Sequence, residues 1–267
     1  NGTIVKSVGL SGTFEPESPM IRARQIVYAP GSGVLYVTTY NSARVWVLTP
    51  NLDIIATVPI GDVEGVWLDT DGVNATYGTT SGHVIGKILP NGTKLWEVTL
   101  PTGGEGYAVH IVKGYVISTH EPYTLTLNMT QFLGSNSTTI TTSTNTTIDL
   151  SLLNRTDLIM RCNLTQGNVT QRCTALDLNV AGAGVYNAEN GSFVYNLVYY
   201  APFYTISSYE YSSYGSLVAL GARDGKIVLA KIHTNGTLQV IANTSLGDFV
   251  HDLSKELIFG RYLLAAT

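Results

Sequence analysis

Residues 34–61 read VLYVTTYNSARVWVLTPNLDIIATVPIG. Two apolar-rich runs, VLYVTT and ARVWVLT, flank a turn of Tyr40, Asn41 and Ser42, and a third, LDIIATVPI, follows a turn at Pro50 and Asn51. Short runs rich in Val, Ile, Thr and aromatic residues, bounded by Asn, Gly and Pro, predict β-strands joined by tight turns.

The pattern returns. RQIVYAP from Arg24 runs into Gly31-Ser32-Gly33, EGVWLDT from Glu64 ends at Asp71-Gly72, and EGYAVHI from Glu105 ends at Lys113-Gly114. The period is about 40 residues. Second strands follow as VLYVTTY, VNATYGTT and GYVISTH; third strands as ARVWVLTPN, GHVIGKILPNG and YTLTLNM; fourth strands as LDIIATVPIGD and TKLWEVTLPTG. A last clear unit runs from Tyr204 to Asp248: YTISSYEY, SLVALGA, GKIVLAKIHTNG, TLQVIANTSLGD. Four strands per repeat is the period of a β-propeller blade. A sandwich would not require Gly61-Asp62 and Gly247-Asp248 to close their repeats alike, nor TPN, LPNG and HTNG to recur at the third turn. The expected fold is therefore all-β: a single β-propeller over residues 1–267, of about six four-stranded blades, with seven the alternative. First strands are expected to begin near residues 25, 65, 106, 150, 203 and 250.

The opening NGTIVKSVGL matches NGTKLWEVTL and NGTLQVIANTSL, which are fourth strands with their preceding turns. Residues 1–10 are thus expected to supply the fourth strand of the last blade, and residues 250–267 its first two. Its third strand would come from further residues of a longer chain or from a neighbouring subunit by strand addition, which would build a polymer. Residues 128–175 read as an insert. GSNSTTITTSTNTT is low-complexity and reads as a loop. Cys162 and Cys173, the only cysteines, lack metal-ligand spacing and read as a disulfide closing a hairpin. A disulfide implies an oxidising compartment, with hyperthermophilic archaea as the exception.

LYVTTYNSARVWVLTPNLDIIATVPIGD resembles the YVTN repeat of β-propellers in archaeal surface-layer and related extracellular proteins. Tyr36, Val37, Thr38, Pro59 and Gly61 carry the likeness; the second repeat departs from it at Tyr77-Gly78-Thr79. The resemblance implies a propeller fold and an archaeal extracellular source, and leaves activity open, because propellers host many functions.

Composition sharpens the compartment. Asn-x-Ser/Thr occurs at Asn1, Asn74, Asn91, Asn128, Asn136, Asn145, Asn154, Asn163, Asn168, Asn190, Asn235 and Asn243, 12 of 17 asparagines. Chance would place about three there. Asn-Gly hairpin turns account for Asn1, Asn91, Asn190 and Asn235, and the remainder still exceeds expectation. The chain therefore reads as heavily N-glycosylated. Only 13 % of residues are charged and the net charge is −4, which excludes electrostatic nucleic-acid binding and leaves few carboxylates for acid to neutralise. An extracellular protein of a hot, acidic habitat fits these features. No stretch is long enough for a transmembrane helix: VYNLVYYAPFY is broken by Asn196 and Pro202. The chain begins at Asn1 without Met and reads as a processed chain or a fragment.

Catalytic motifs are sparse. His83, His110, His120, His233 and His251 form no HxxxH or HExxH set. His110 lies on a first strand. There is no GxSxG elbow and no phosphate loop. Asp62, Glu64, Glu105, Asp248 and His251 all fall in connections from a fourth strand to the next first strand, the face near a propeller axis where ligands bind. No catalytic residue or metal is assigned, and no cofactor beyond covalent glycans. No ligand spacing supports a cation on the axial carboxylates. The leading expectation is a non-catalytic surface glycoprotein, a structural, adhesive or assembly module of a lattice or filament. It would associate with copies of itself, by strand exchange among other routes, or with other surface proteins. The alternative is a secreted propeller enzyme or ligand binder using the acidic axial face.

Overall fold

The computed structural model describes residues 3–9, 23–39, 43–60, 67–79, 84–99, 106–128, 139–141, 146–149, 158–163, 172–199, 201–211, 215–253 and 265–267. Every regular element among them is a β-strand. No helix among them is long and apolar enough to cross a membrane.

The first sheet is an antiparallel meander of β1 (Ala23–Ala29), β2 (Val34–Thr39), β3 (Arg44–Leu48) and β4 (Ile54–Pro59), paired in chain order. The second repeats it with β5 (Trp67–Thr70), β6 (Ala75–Gly78), β7 (Val84–Ile88) and β8 (Lys94–Thr99). Middle strands β2, β3 and β6 are buried on both faces, so they read as continuous apolar runs; the fourth strands β4 and β8 are mostly exposed and read as alternating. Val27, Tyr36, Val45, Val47, Val58, Leu68, Tyr77 and Ile88 form one apolar cluster from both sheets. Each such side chain contributes about 1.5–3 kcal/mol on burial.

The third sheet departs from expectation. It has seven strands: β9 (Gly106–Val112), β10 (Tyr115–Asn128), β11 (Thr139–Thr141), β12 (Thr146–Asp149), β13 (Leu158–Asn163), β14 (Arg172–Asn187) and β15 (Phe193–Tyr199). Their order is β11-β12-β15-β14-β10-β9, with β13 on β14. YTLTLNM was expected as a separate third strand, but Tyr123 to Asn128 continue β10. The third and fourth places belong to β14 and β15, beyond the insert. The stretch near residue 150, expected to open a new blade, is β12, which pairs parallel with β15 through Thr146↔Asn196 and Ile148↔Val198. The Ser/Thr-rich segment read as a loop contains strands β11 and β12, as β-branched Thr and Ile favour.

The fourth sheet is again a meander, of β16 (Phe203–Tyr211), β17 (Gly215–Ala222), β18 (Lys226–Ile232) and β19 (Leu238–Ser245). A two-stranded pair, β20 (Asp252–Leu253) and β21 (Ala265–Ala266), joins residues near the C-terminus. Leu253 and Ala265 pack with Tyr209, Ala219, Ile227 and Val250. Residues 3–9, expected as a fourth strand, lie in no strand and are exposed, with Ile4 and Val5 83 % and 97 % accessible. Lys6 ion-pairs there with Asp53.

The third-to-fourth turns share one construction. Gly92 and Gly236 adopt φ of 85° and 82°, and in each turn the Gly N–H donates to the carbonyl three residues back, Leu89 or His233. Gly191, between β14 and β15, is also left-handed at φ 72°, but its N–H donates to the carbonyl four residues back, Asn187. The first sheet has Leu52 in this place, at φ 63°.

The chain forms two compact units. One comprises Asn1–Ser118, Val185–Phe193 and Ile206–Ser208; the other comprises Thr119–Gly184, Val194–Thr205 and Tyr209–Thr267.

Candidate functional site

Within the first unit, first strands are tied by side chains reaching the next strand's backbone. Gln25 on β1 donates from Nε2 to the Leu68 carbonyl at 2.9 Å and accepts from the Leu68 N–H at 2.8 Å. One repeat on, Asp69 on β5 accepts from the Ile111 N–H of β9 at 2.8 Å through Oδ2.

Asp69 does more than link. The same Oδ2 lies 2.7 Å from His110 Nδ1, and His110 Nε2 lies 2.7 Å from Ser208 Oγ. The three residues come from β5, β9 and β16. Their side chains are half-buried, His110 21 % and Asp69 17 % accessible. In the tautomer whose Nδ1–H donates to the carboxylate, the Nε2 lone pair faces the Ser208 hydroxyl. This arrangement can move a proton off that hydroxyl. Sequence reading singled out His110 but neither Asp69 nor Ser208.

Of the expected axial set, Asp62, Glu64 and Glu105 lie outside the described residues. Asp248 and His251 are described in the second unit. Asp248 Oδ1 accepts its neighbour's N–H, from Phe249, at 2.7 Å. His251 meets the Phe249 ring edge to face at 4.0 Å, and Phe249 meets Tyr204 at 4.6 Å. This is an aromatic cluster beside a turn carboxylate. Among the described residues no group of three or more His, Cys, Asp or Glu could hold a metal. His120 is buried and contacts Asn196 Oδ1 at 3.1 Å. His233 contacts Gln239 Oε1 at 3.2 Å. His83 lies outside the described residues.

The sequons fall into groups. Asn91, Asn190 and Asn235 are exposed at third-to-fourth turns. Each turns Oδ1 toward the main chain, accepting the N–H of the sequon's own Ser or Thr: Thr93 at 3.0 Å, Ser192 at 2.9 Å, Thr237 at 3.2 Å. The Thr237 hydroxyl donates to the same oxygen at 2.7 Å. The amide nitrogen, the atom that carries an N-glycan, takes no part in these bonds. Asn243 is exposed on β19. Asn74 differs: it is half-buried, and its Nδ2 donates to Asp71 Oδ2 at 3.1 Å. Asn128 ends β10 and Asn163 ends β13, with side chains outside the described set. Asn1, Asn136, Asn145, Asn154 and Asn168 lie outside the described residues. Cys162 and Cys173 are directly opposite in the antiparallel β13–β14 pair.

The turn holding Asn74 also carries an ion pair whose ammonium is buried and whose carboxylate is partly exposed. Lys87 Nζ lies 2.9 Å from Asp71 Oδ2 and donates to the Ala188 carbonyl at 3.2 Å. Burial pushes the Asp71 carboxyl up, but the Asn74 and Val73 N–H groups and Lys87 outweigh it and hold the pKa at about 2. Burial, reinforced by Glu97, raises the Tyr77 phenol.

No protein-family model matches the chain, and no curated protein matches it in sequence. Solved structures do resemble it. BBS1N in complex with ARL6DN superposes with a TM-score of 0.54 at 13 % identity, covering 97 % of this chain and 63 % of that one. The periplasmic gluconolactonase PpgL of Pseudomonas aeruginosa gives 0.51 at 10 %, covering 89 % and 58 %. The WD40 domain of Toxoplasma gondii coronin gives 0.51 at 11 %, covering 86 % and 47 %. The fold is a β-propeller. The likeness at these identities is one of fold alone, and the chain spans less than two thirds of the length of these structures.

Proposed function

We propose that this β-propeller is an N-glycosylated extracellular module, a structural, adhesive or assembly part of an archaeal cell surface. The observation that carries the reading is the geometry of Asn91, Asn190 and Asn235. Each is exposed at a turn with its oxygen, not its nitrogen, engaged by its own sequon. Low charge and 12 sequons support the compartment, and the YVTN-like repeat supports the source. Association with protein partners, including further copies, suits a fold that in BBS1N is seen in complex with a partner protein.

The reading includes a Cys162–Cys173 disulfide: the two are register partners in the antiparallel β13–β14 pair, next to a register shift at Arg161/Cys162. The test is intact-mass and glycopeptide analysis of the protein from its native source, with size measurement in solution. Sugar on Asn91, Asn190 and Asn235 together with self-association supports the reading. A mass equal to the bare polypeptide overturns it.

A further inference from the structure

We infer that Asp69, His110 and Ser208 form a nucleophilic acyl-transfer site that hydrolyses small carboxylic esters. The inference is independent of glycosylation and of assembly.

The fold by itself asks less of these positions. Between β1 and β5 the link to the next backbone is made by Gln25, a neutral amide. Between β5 and β9 the linking residue is a carboxylate, and the oxygen that takes the Ile111 N–H also takes the imidazole. An amide would serve the link. Only an acceptor without a proton sets His110 with Nδ1–H inward and Nε2 bare toward Ser208. The Ile111 N–H in turn fixes the carboxylate, so base and orienting group are held by strands rather than by loops.

Two contacts of 2.7 Å in series, hydroxyl to imidazole to carboxylate, meet the distances that nucleophile activation needs. His110 and Asp69 keep 21 % and 17 % of their side-chain surface, so the site is not sealed from solvent.

The chemistry balances without a cofactor. Ser208 Oγ attacks the ester carbonyl while its proton passes to His110 Nε2. The tetrahedral adduct expels the alcohol, which takes that proton, and leaves an acyl-Ser208 ester. Water then gives a proton to Nε2 and its oxygen to the acyl carbon. The carboxylic acid departs, and Ser208 recovers its proton from His110. Asp69 stays ionised as a positioning residue that fixes the tautomer and stabilises the transient imidazolium. Esters fit better than phosphate compounds, because the three side chains offer no cation for a transferring phosphoryl group.

The test uses the full chain with a fluorophosphonate probe and p-nitrophenyl acetate. Peptide mapping is expected to place the probe on Ser208 and not on neighbouring Ser207. Ser208→Ala and His110→Gln are each expected to lower labelling and ester turnover at least about 100-fold, with unchanged far-UV circular dichroism. Asp69→Asn keeps an acceptor for Ile111. It is expected to lower turnover with little change in KM, and Asp69→Glu to restore part of it, which a merely structural link would not do. Because the Asp69 variants can also perturb β5, Ser207→Ala serves as the folded control and is expected to retain full labelling. Labelling of Ser208 no faster than of Ser207, or undiminished in His110→Gln, overturns the assignment.

Discussion

Replacing Lys87 by Met tests whether the buried charge in the second sheet holds the fold together. Lys87 is 7 % exposed. Its ammonium has two partners, Asp71 Oδ2 at 2.9 Å and the Ala188 carbonyl at 3.2 Å, and the indole Nε1 of Trp96 shares that carbonyl at 3.1 Å. Met keeps the apolar stem and its packing, so the change isolates the charge. Removing one member of a buried pair costs about 3–5 kcal/mol when the other is stranded. Asp71 is not stranded. It keeps the Val73 and Asn74 N–H groups at 3.0 and 2.7 Å and the Asn74 amide at 3.1 Å. The Ala188 carbonyl keeps Trp96. The expected loss is therefore about 2 kcal/mol. Urea unfolding followed by tryptophan emission reads it, since Trp96 sits on the shared carbonyl. A double-mutant cycle with Asp71→Asn is expected to show coupling of about 1 kcal/mol. A Lys87→Met variant within about 0.5 kcal/mol of the parent, or a coupling of zero, would refute the reasoning.

The same site has an acid signature. The Asp71 pKa falls from 3.8 to about 2 on folding, so its contribution is present above about pH 4 and fades as pH drops through 2. After allowance for solvent screening it is about 1 kcal/mol, read as a flatter acid limb in Asp71→Asn. Gly86→Ala would place a methyl 2.5 Å from the buried Tyr77 ring and is expected to cost about 2–3 kcal/mol in urea unfolding. Leu52→Gly relieves a left-handed residue where the other turns carry glycine and is expected to gain about 0.5–1 kcal/mol by the same assay. Glycopeptide analysis is expected to find lower occupancy at Asn74 than at Asn91, Asn190 or Asn235, because its amide nitrogen is engaged by Asp71.

The first, second and fourth sheets were legible because short apolar or alternating runs bounded by Gly/Asn turns mark each strand locally. The third sheet hid its order. The 14-residue β10 and the 16-residue β14 run past the length of a blade strand, and the insert separates strands that pair. A signal was nevertheless present: Asn190-Gly191 repeats the third-to-fourth turn seen at Asn91-Gly92 and Asn235-Gly236. Read that way, the preceding run VAGAGVYN is a third strand and FVYNLVY a fourth. The N-terminal NGT shares the sequence of those turns, yet residues 3–9 lie in no strand.

The Asp69–His110–Ser208 arrangement was illegible for a different reason. Motif searches find chemistry when its residues are near in sequence, as in an elbow or a two-histidine helix turn. Here the residues sit one per sheet on three first strands, and their separation is set by the repeat and the insert rather than by a loop. The register nevertheless constrains them. Gln25 reaches residue 68 and Asp69 reaches residue 111, so a side chain of one first strand meets the next strand 42 or 43 positions on. A position so placed can exchange an amide for a carboxylate while keeping its link to the next strand. In a repeat fold the linking residues of the first strands are therefore where chemistry can enter without a change of architecture, and where it leaves the least trace in a linear motif.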